Sequence, residues 1–206
     1  MTRQRLSKEE RKLQIQKAAK KVLLKKGYEN TTMENVIEET GMSTGGVYHY
    51  YKSVFDIFYD IMSEGLDYGE HRNFENPEKD LNTFIDYQMA KIFDDNEYKS
   101  LFAMLLKGID YNDDLREIYL KLNNKYKEIL CKNFEGSSVP IEILDDSFLI
   151  FFVHSLIMGN ENLVSLGSKE VFKENKEIVK KMIVLYLSER YSSIKKNNFE
   201  EERKWN

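Results

Sequence analysis

The chain has 206 residues with two prolines and ten glycines, and its wealth of helix formers points to an all-α protein of one substantial domain or two small ones. Its single cysteine, Cys131, excludes an intramolecular disulfide framework, a cysteine-based zinc cluster and a CxxC redox pair. The formal net charge of −4 is unevenly spread: residues 1–52 hold 11 Lys/Arg and 6 Asp/Glu, the remainder 20 and 29, so a basic head precedes an acidic body.

The N-terminus is basic and polar with no apolar stretch of signal-peptide type. The most apolar run, Phe148–Met158, is shorter than the ~18–20 residues of a membrane span and contains His154 and Ser155. A cytoplasmic protein without a membrane partner is expected.

Ser7 and Glu10 make a capping box that opens a first helix running to Lys26, with Gly27 ending it. Ile15, Ala18, Ala19, Val22 and Leu23 form its apolar stripe, and lysines and arginines cover the other face. Arg3 and Arg5 precede it, either as a basic arm for the minor groove or as a disordered tail. Thr31 with Glu34 reads as the capping box of a second, shorter helix. Met33, Val36 and Ile37 lie on one face of it, and Gly41 stops it. Ser43 then caps a third short helix, which is the helix-turn-helix layout.

That third helix is expensive as a helix. Gly45 and Gly46 fall in its first turn, where each costs roughly 1 kcal/mol relative to alanine. Missing side chains there let backbone N–H groups approach a phosphate. Tyr48, His49, Tyr50 and Lys52 follow, all able to donate to phosphates or base edges. The alternative is a glycine-rich loop leading into an aromatic core helix.

Ser53 with Asp56 opens a fourth helix to about residues 67–70, apolar on more than one side through Phe55, Phe58, Tyr59, Ile61 and Met62. Asn76–Pro77 reads as the start of a fifth, carrying Phe84, Ile85, Gln88, Met89, Ile92 and Phe93. A sixth spans about Tyr98–Ile109, and a seventh runs from Asn112 through Phe134 with Asp113 and Asp114 in its first turn. After a loop at Gly136–Pro140, an eighth reaches about Ser165. A ninth covers about Lys169–Ile194, and the charged tail Lys195–Asn206 is expected to fray. The eighth is apolar on nearly all sides and so must be buried on all sides, inside one subunit or against a second copy.

Gly41–Met42–Ser43–Thr44–Gly45 matches the G-x-S-x-G elbow of serine hydrolases, but that motif needs a preceding strand and Met33–Thr40 has helical period. None of His49, His71 and His154 follows a glutamate by three residues, and no phosphate-loop or dinucleotide fingerprint occurs. Neither an enzyme nor a cofactor or metal is expected. Asn30–Thr32 matches a glycosylation sequon that an intracellular chain would not use.

Ile15, Ala18–Ala19, Leu23, Gly27–Tyr28, Thr31–Thr32, Val36, Gly41–Met42–Ser43, Gly45, Val47–Tyr48, Tyr50–Tyr51, Ser53 and Ile57 together resemble the TetR family of transcriptional regulators. The chain departs from the family at Tyr51, where phenylalanine is usual, and at Val54, where a lysine usually heads the fourth helix; Lys52 lies close enough to take over its phosphate contact. Beyond about residue 75 only length and helical pattern are similar.

The resemblance implies a nine-helix architecture. Residues 1–70 would form a helix-turn-helix DNA-binding domain (family domain about 9–69, helix-turn-helix about 32–51) with helix 4 as connector. Residues 75–206 would form an effector-binding and dimerisation body. It implies a homodimeric, ligand-responsive repressor on a palindromic double-stranded operator, released by a small apolar or aromatic effector that shifts helix 4. An effector-independent regulator of the same fold is the alternative. The DNA-binding candidates are Thr31, Thr32, Ser43, Thr44, Gly45, Gly46, Tyr48, His49, Tyr50 and Lys52. Candidates for an effector pocket are Phe84, Tyr87, Phe102, Tyr119, Phe148, Phe151 and His154, although His154 also reads as a hydrogen-bonded core histidine. Those for a dimer interface are Phe152, Leu156, Ile178, Met182 and Leu185.

Overall fold

A computed structural model describes residues 6–73 and 79–204, with side chains described for 6–66 and 79–196. Among the described residues there are eleven α-helices, one 3-10 turn and no strand. The helices are α1 (Lys8–Lys26), α2 (Met33–Thr40), α3 (Thr44–Tyr48), α4 (Val54–Asn73), α5 (Leu81–Phe93), α6 (Tyr98–Gly108), α7 (Asp113–Asn133), α8 (Ile141–Leu144), α9 (Ser147–Asn162), α10 (Ser168–Glu174) and α11 (Lys176–Lys204). No helix among the described residues is long and apolar enough to cross a membrane.

These helices fall into two compact units. The first comprises Met1–Asp67 with Glu97–Leu122, and the second Tyr68–Asn96 with Asn123–Asn206. α6 and the first half of α7 thus fall in the same unit as α1, α2 and α3.

In the first unit the apolar stripe of α1 (Ile15, Ala19, Leu23) packs with Met33 and Val36 of α2, Val47 of α3 and Ile57, Phe58 and Ile61 of α4. Leu101, Leu105, Leu115 and Ile118 of α6 and α7 extend the same core. Polar ties hold α6 and α7 in place. The Tyr28 hydroxyl donates to Asp114 (3.1 Å), Asn112 donates to Glu29 (2.6 Å), and Lys20 pairs with Glu97 (2.8 Å).

Tyr51 shows what its departure from phenylalanine achieves. Its ring is buried, its hydroxyl accepts from Gln16 Nε2 (3.0 Å) and donates to Asp60 Oδ2 (3.0 Å), and Lys12 Nζ donates to that same oxygen (3.0 Å). One hydroxyl thereby ties α1 and α4 to the segment after α3. Burial, then the adjacent Asp60 charge, raises the phenol above its ordinary range. Tyr51→Phe leaves the buried Gln16 amide without its acceptor. The expected cost is about 1–3 kcal/mol, read as a lower urea midpoint at unchanged m-value.

In the second unit Phe84, Ile85 and Ile92 of α5, Val153 and Ile157 of α9, and Val179, Ile183 and Leu187 of α11 are buried. Asp146 organises one end. It is 7% exposed, caps α9 by accepting Leu149 N–H (2.8 Å), and also accepts from the Tyr186 hydroxyl (2.7 Å) and Arg190 Nε (3.2 Å).

Several boundaries differ from the sequence expectation, each for a local reason. The expected eighth helix is two, because the Asp146 cap starts a new helix after the single turn of α8. The ninth is also two, broken at Asn175, whose backbone and side-chain N–H groups both donate to Val171 O. α5 opens at the Asp80 cap, with Thr83 N–H donating to its carboxylate (2.8 Å). α11 continues through Lys204 where a frayed tail was expected. Arg3, Arg5 and Asn76–Pro77 lie outside the described residues, as does the His71 side chain.

α9 and α11 carry the largest surprise. Phe148, Phe151, Ile178, Met182 and Leu185 are exposed, with Phe151 at 64% and Leu185 at 65%. Phe152 and Leu156 are half-buried. α9 is thus buried on one face only, the face of Leu149, Val153 and Ile157, and the chain by itself leaves the other uncovered.

Candidate nucleic-acid interface

The turn between α2 and α3 is built from local hydrogen bonds. Gly41 adopts left-handed φ (+65°), and its N–H donates to Ile37 O and Glu38 O. The Thr40 hydroxyl donates to Ile37 O (2.8 Å) and accepts Met42 N–H (3.1 Å). Ser43 Oγ accepts Gly46 N–H (3.2 Å), which starts α3. A helix, not a strand, precedes this serine, so no nucleophile elbow forms.

Val47 and Tyr51 anchor α3 in the core. With those two inward, Thr44, Gly45, His49 and Lys52 are exposed, whereas Gly46, Tyr48 and Tyr50 are half-buried. The aromatic bodies of Tyr48 and Tyr50 pack against the head core, and the His49 ring meets the Tyr50 ring edge-on at 5.0 Å. Lys52 Nζ folds back to donate to Tyr48 O (2.6 Å), closing the open C-terminal end of this short helix.

The two glycines differ. A Cβ on Gly46 would lie 3.1 Å from Ser43 Oγ and 3.4 Å from Met42 Cε, so its lack of side chain serves the cap. A Cβ on Gly45 would meet nothing within 4 Å. Gly45 is helical and exposed, and nothing in its surroundings requires a glycine.

Thr32, not Thr31, takes the capping role expected at the start of α2. Thr32 caps α2, accepting Asn35 N–H while Asn35 Oδ1 accepts Thr32 N–H, both at 3.3 Å. Thr31 is buried and its hydroxyl donates to Gly27 O (2.7 Å), which withdraws it from any surface contact. The partner Asn35 was missed in the sequence because glutamate is the commoner residue of that box; Thr32-x-x-Asn35 carried the signal. Exposed Lys17 and Lys25 of α1 add positive charge to the unit, and Lys21 is paired with Glu39 (3.1 Å).

The residues suggested for an effector pocket are divided between the units. Phe102 and Tyr119 are half-buried in the first; burial holds the Tyr119 phenol above its ordinary range. In the second, Phe84 and Tyr87 are buried, His154 is half-buried and Phe148 and Phe151 face outward. Phe148, although exposed, lines an open hollow with Ile141, Asp146, Tyr186 and Arg190, whereas Phe151 continues the uncovered stripe of α9. Among the described residues no cluster of three or more His, Cys, Asp or Glu could hold a metal ion.

Comparison with known proteins matches this geometry. Residues 15–58 match the family model described as bacterial regulatory proteins, tetR family. An uncharacterised helix-turn-helix transcriptional regulator of Bacillus subtilis (strain 168), YfiR, is 48% identical over 62 residues. That match spans 30% of this chain and 30% of YfiR. Two solved structures share the fold across nearly the whole chain. Salmonella enterica GusR is 16% identical, with a TM-score of 0.67, covering 86% of this chain and 95% of its own. A transcriptional regulator from Rhodococcus sp. Rha1 is 18% identical, with a TM-score of 0.62, covering 84% and 96%. The head, residues 15–58, is thus that of the tetR family of bacterial regulatory proteins, and the chain as a whole shares the all-helical fold of these solved structures.

Proposed function

We propose that the protein is a ligand-responsive transcriptional regulator that binds a palindromic operator as a homodimer and is released by a small aromatic or apolar effector. Gly45 carries the DNA-reading part. A helical glycine costs roughly 1 kcal/mol, and no neighbour within 4 Å offsets that cost in the free protein. Close approach of a nucleic-acid backbone or base edge would offset it. Thr44, Tyr48, His49 and Lys52 lie on the same short helix or just after it and offer donors to bases and phosphates; Thr32 and Tyr50 flank them. Each head would place α3 in a major groove, with half-sites about one helical turn, ~34 Å, apart or a multiple of it.

The apolar side chains left exposed on α9 and α11 support the homodimer, because exposed apolar surface in excess of scattered single residues marks an interaction site. Release requires an effector that prefers the DNA-incompetent state, by a coupling of typically 1–3 kcal/mol. α4 and α7 have residues in both units and, with the Asn96–Glu97 junction before α6, are the covalent routes for that coupling.

Anisotropy titrations on a selected operator test the interface. Tyr48→Ala is expected to weaken binding by about tenfold or more, the worth of a good base contact. Lys52→Ala should weaken binding to every sequence alike and lower the salt slope by about 1. Gly45→Ala should weaken operator binding while leaving the fold as stable or up to about 1 kcal/mol more stable. Unchanged affinity in all three variants would place the DNA surface elsewhere.

A further inference from the structure

Within the second unit Lys91 is a half-buried lysine set against two aromatic rings, unlike the lysines that pair with carboxylates. Lys180 pairs with Asp86 (2.7 Å), Lys127 with Asp145 (2.6 Å) and Lys169 with Asp95 (3.5 Å). Lys91, half-buried on α5, has no carboxylate within 4.0 Å among the described residues. Its ammonium lies instead 3.9 Å from the ring centroid of Tyr126 on α7 and 5.9 Å from that of Tyr87. The two rings are nearly parallel, with centroids 6.1 Å apart. Gln88 Nε2 donates to the Tyr126 hydroxyl (3.3 Å) and fixes that ring.

A partly desolvated ammonium without a counter-ion is costly, and aromatic faces compensate by only about 0.5–2 kcal/mol. The nearby charged groups do not help. His154 on α9 is held neutral, its pKa lowered to about 3 by burial and then by the Lys91 charge itself. Asp86, on the same helix, is already taken by Lys180. The cluster therefore has one uncompensated positive charge against two tyrosine faces, which is the complement of an aromatic anion.

We infer that Lys91, Tyr87 and Tyr126 form the recognition point for an effector that is a small aromatic carboxylate, its anionic end on Lys91 and its ring against the tyrosines. This rests on the effector-responsive reading above and narrows the effector from apolar or aromatic compounds in general to anionic ones. It also gives Lys91 two states: over the Tyr126 ring when the site is empty, and paired with the ligand when it is filled.

The test uses the full-length protein and matched pairs of probes: benzoate, cinnamate and 1-naphthoate against their uncharged primary amides, with binding read by calorimetry and operator release by anisotropy. At least one acid is expected to bind ten times or more tightly than its amide. Lys91→Arg should keep that preference and Lys91→Met should erase it, with thermal melts confirming that both variants are folded. Amides that bind as well as acids and release the operator would overturn the anionic class but leave effector response standing. An acid preference unchanged in Lys91→Met would remove Lys91 from the site. Failure of every acid and amide to bind or to release DNA would overturn both readings.

Discussion

Glutamate in place of Phe151 or Leu185 is expected to turn the protein into a monomer and to weaken operator binding by roughly a hundredfold or more, while the fold survives. Both side chains are about two-thirds exposed in the single chain, 64% and 65%. A charge there costs the isolated subunit little, within about 0.5 kcal/mol for ordinary surface positions. In a dimer the same charge would be buried against apolar surface without a partner, a penalty of several kcal/mol. Losing the dimer also loses the linkage of two heads, whose effective-concentration advantage is worth about 10²–10⁴ in affinity. Sedimentation velocity gives the mass, and anisotropy on a two-half-site duplex gives the affinity. A variant that stays dimeric with full operator affinity would show that this stripe is covered by something other than a second copy.

The second large effect is a loss of stability in mild acid that traces to His154. Folded, its imidazole takes up a proton only near pH 3; unfolded, it does so near the ordinary 6.5. The unfolded chain therefore binds more protons between those values, and stability falls as pH drops through that window. The contribution is fully present above pH 6.5 and amounts to a few kcal/mol at most, because each pH unit across the window is worth about 1.4 kcal/mol. Urea midpoints measured from pH 7 to pH 4 should fall in the wild type. His154→Gln, which has no imidazole to protonate, should show a flatter profile over the same range. Parallel profiles for the two proteins would mean that other groups dominate the acid response.

Local chemistry was the most legible part of the sequence. The Ser7–Glu10 box and the Ser53–Asp56 pair form as their spacing required (2.7 and 2.8 Å), and Gly41 has the left-handed φ that a helix stop needs. Where two adjacent residues could each cap, spacing could not choose: Thr31 and Thr32 are both threonines, and the nearby Gly27 carbonyl drew Thr31 away. Asp145–Asp146–Ser147 precedes the apolar run at Phe148 and carried a cap signal that went unread, whereas the wider role of Asp146 depends on Tyr186 and Arg190, about forty residues on. The same limit hid the placement of α6 and early α7 beside α1 and α2, which rests on Tyr28–Asp114 and Glu29–Asn112, pairs more than eighty residues apart. Composition also misjudged α9. Phenylalanines alone do not say which of them face inward, and Phe148 and Phe151 turned out to be surface. The asymmetry between Gly45 and Gly46 needed coordinates, since only the surrounding atoms separate a glycine required by its own turn from one that is not.

The most direct test of the central claim, that the α2–α3 region reads DNA sequence, is selection of the full-length protein on a random pool of duplex DNA at ~0.15 M salt. Phosphate attraction alone is weak under those conditions. The expected result is an enriched palindrome whose half-sites are about one helical turn or a multiple of it apart, lost when Tyr48 and Lys52 are both replaced by alanine. A pool that stays random with folded, soluble protein would contradict it, as would a motif recovered equally by the doubly substituted protein.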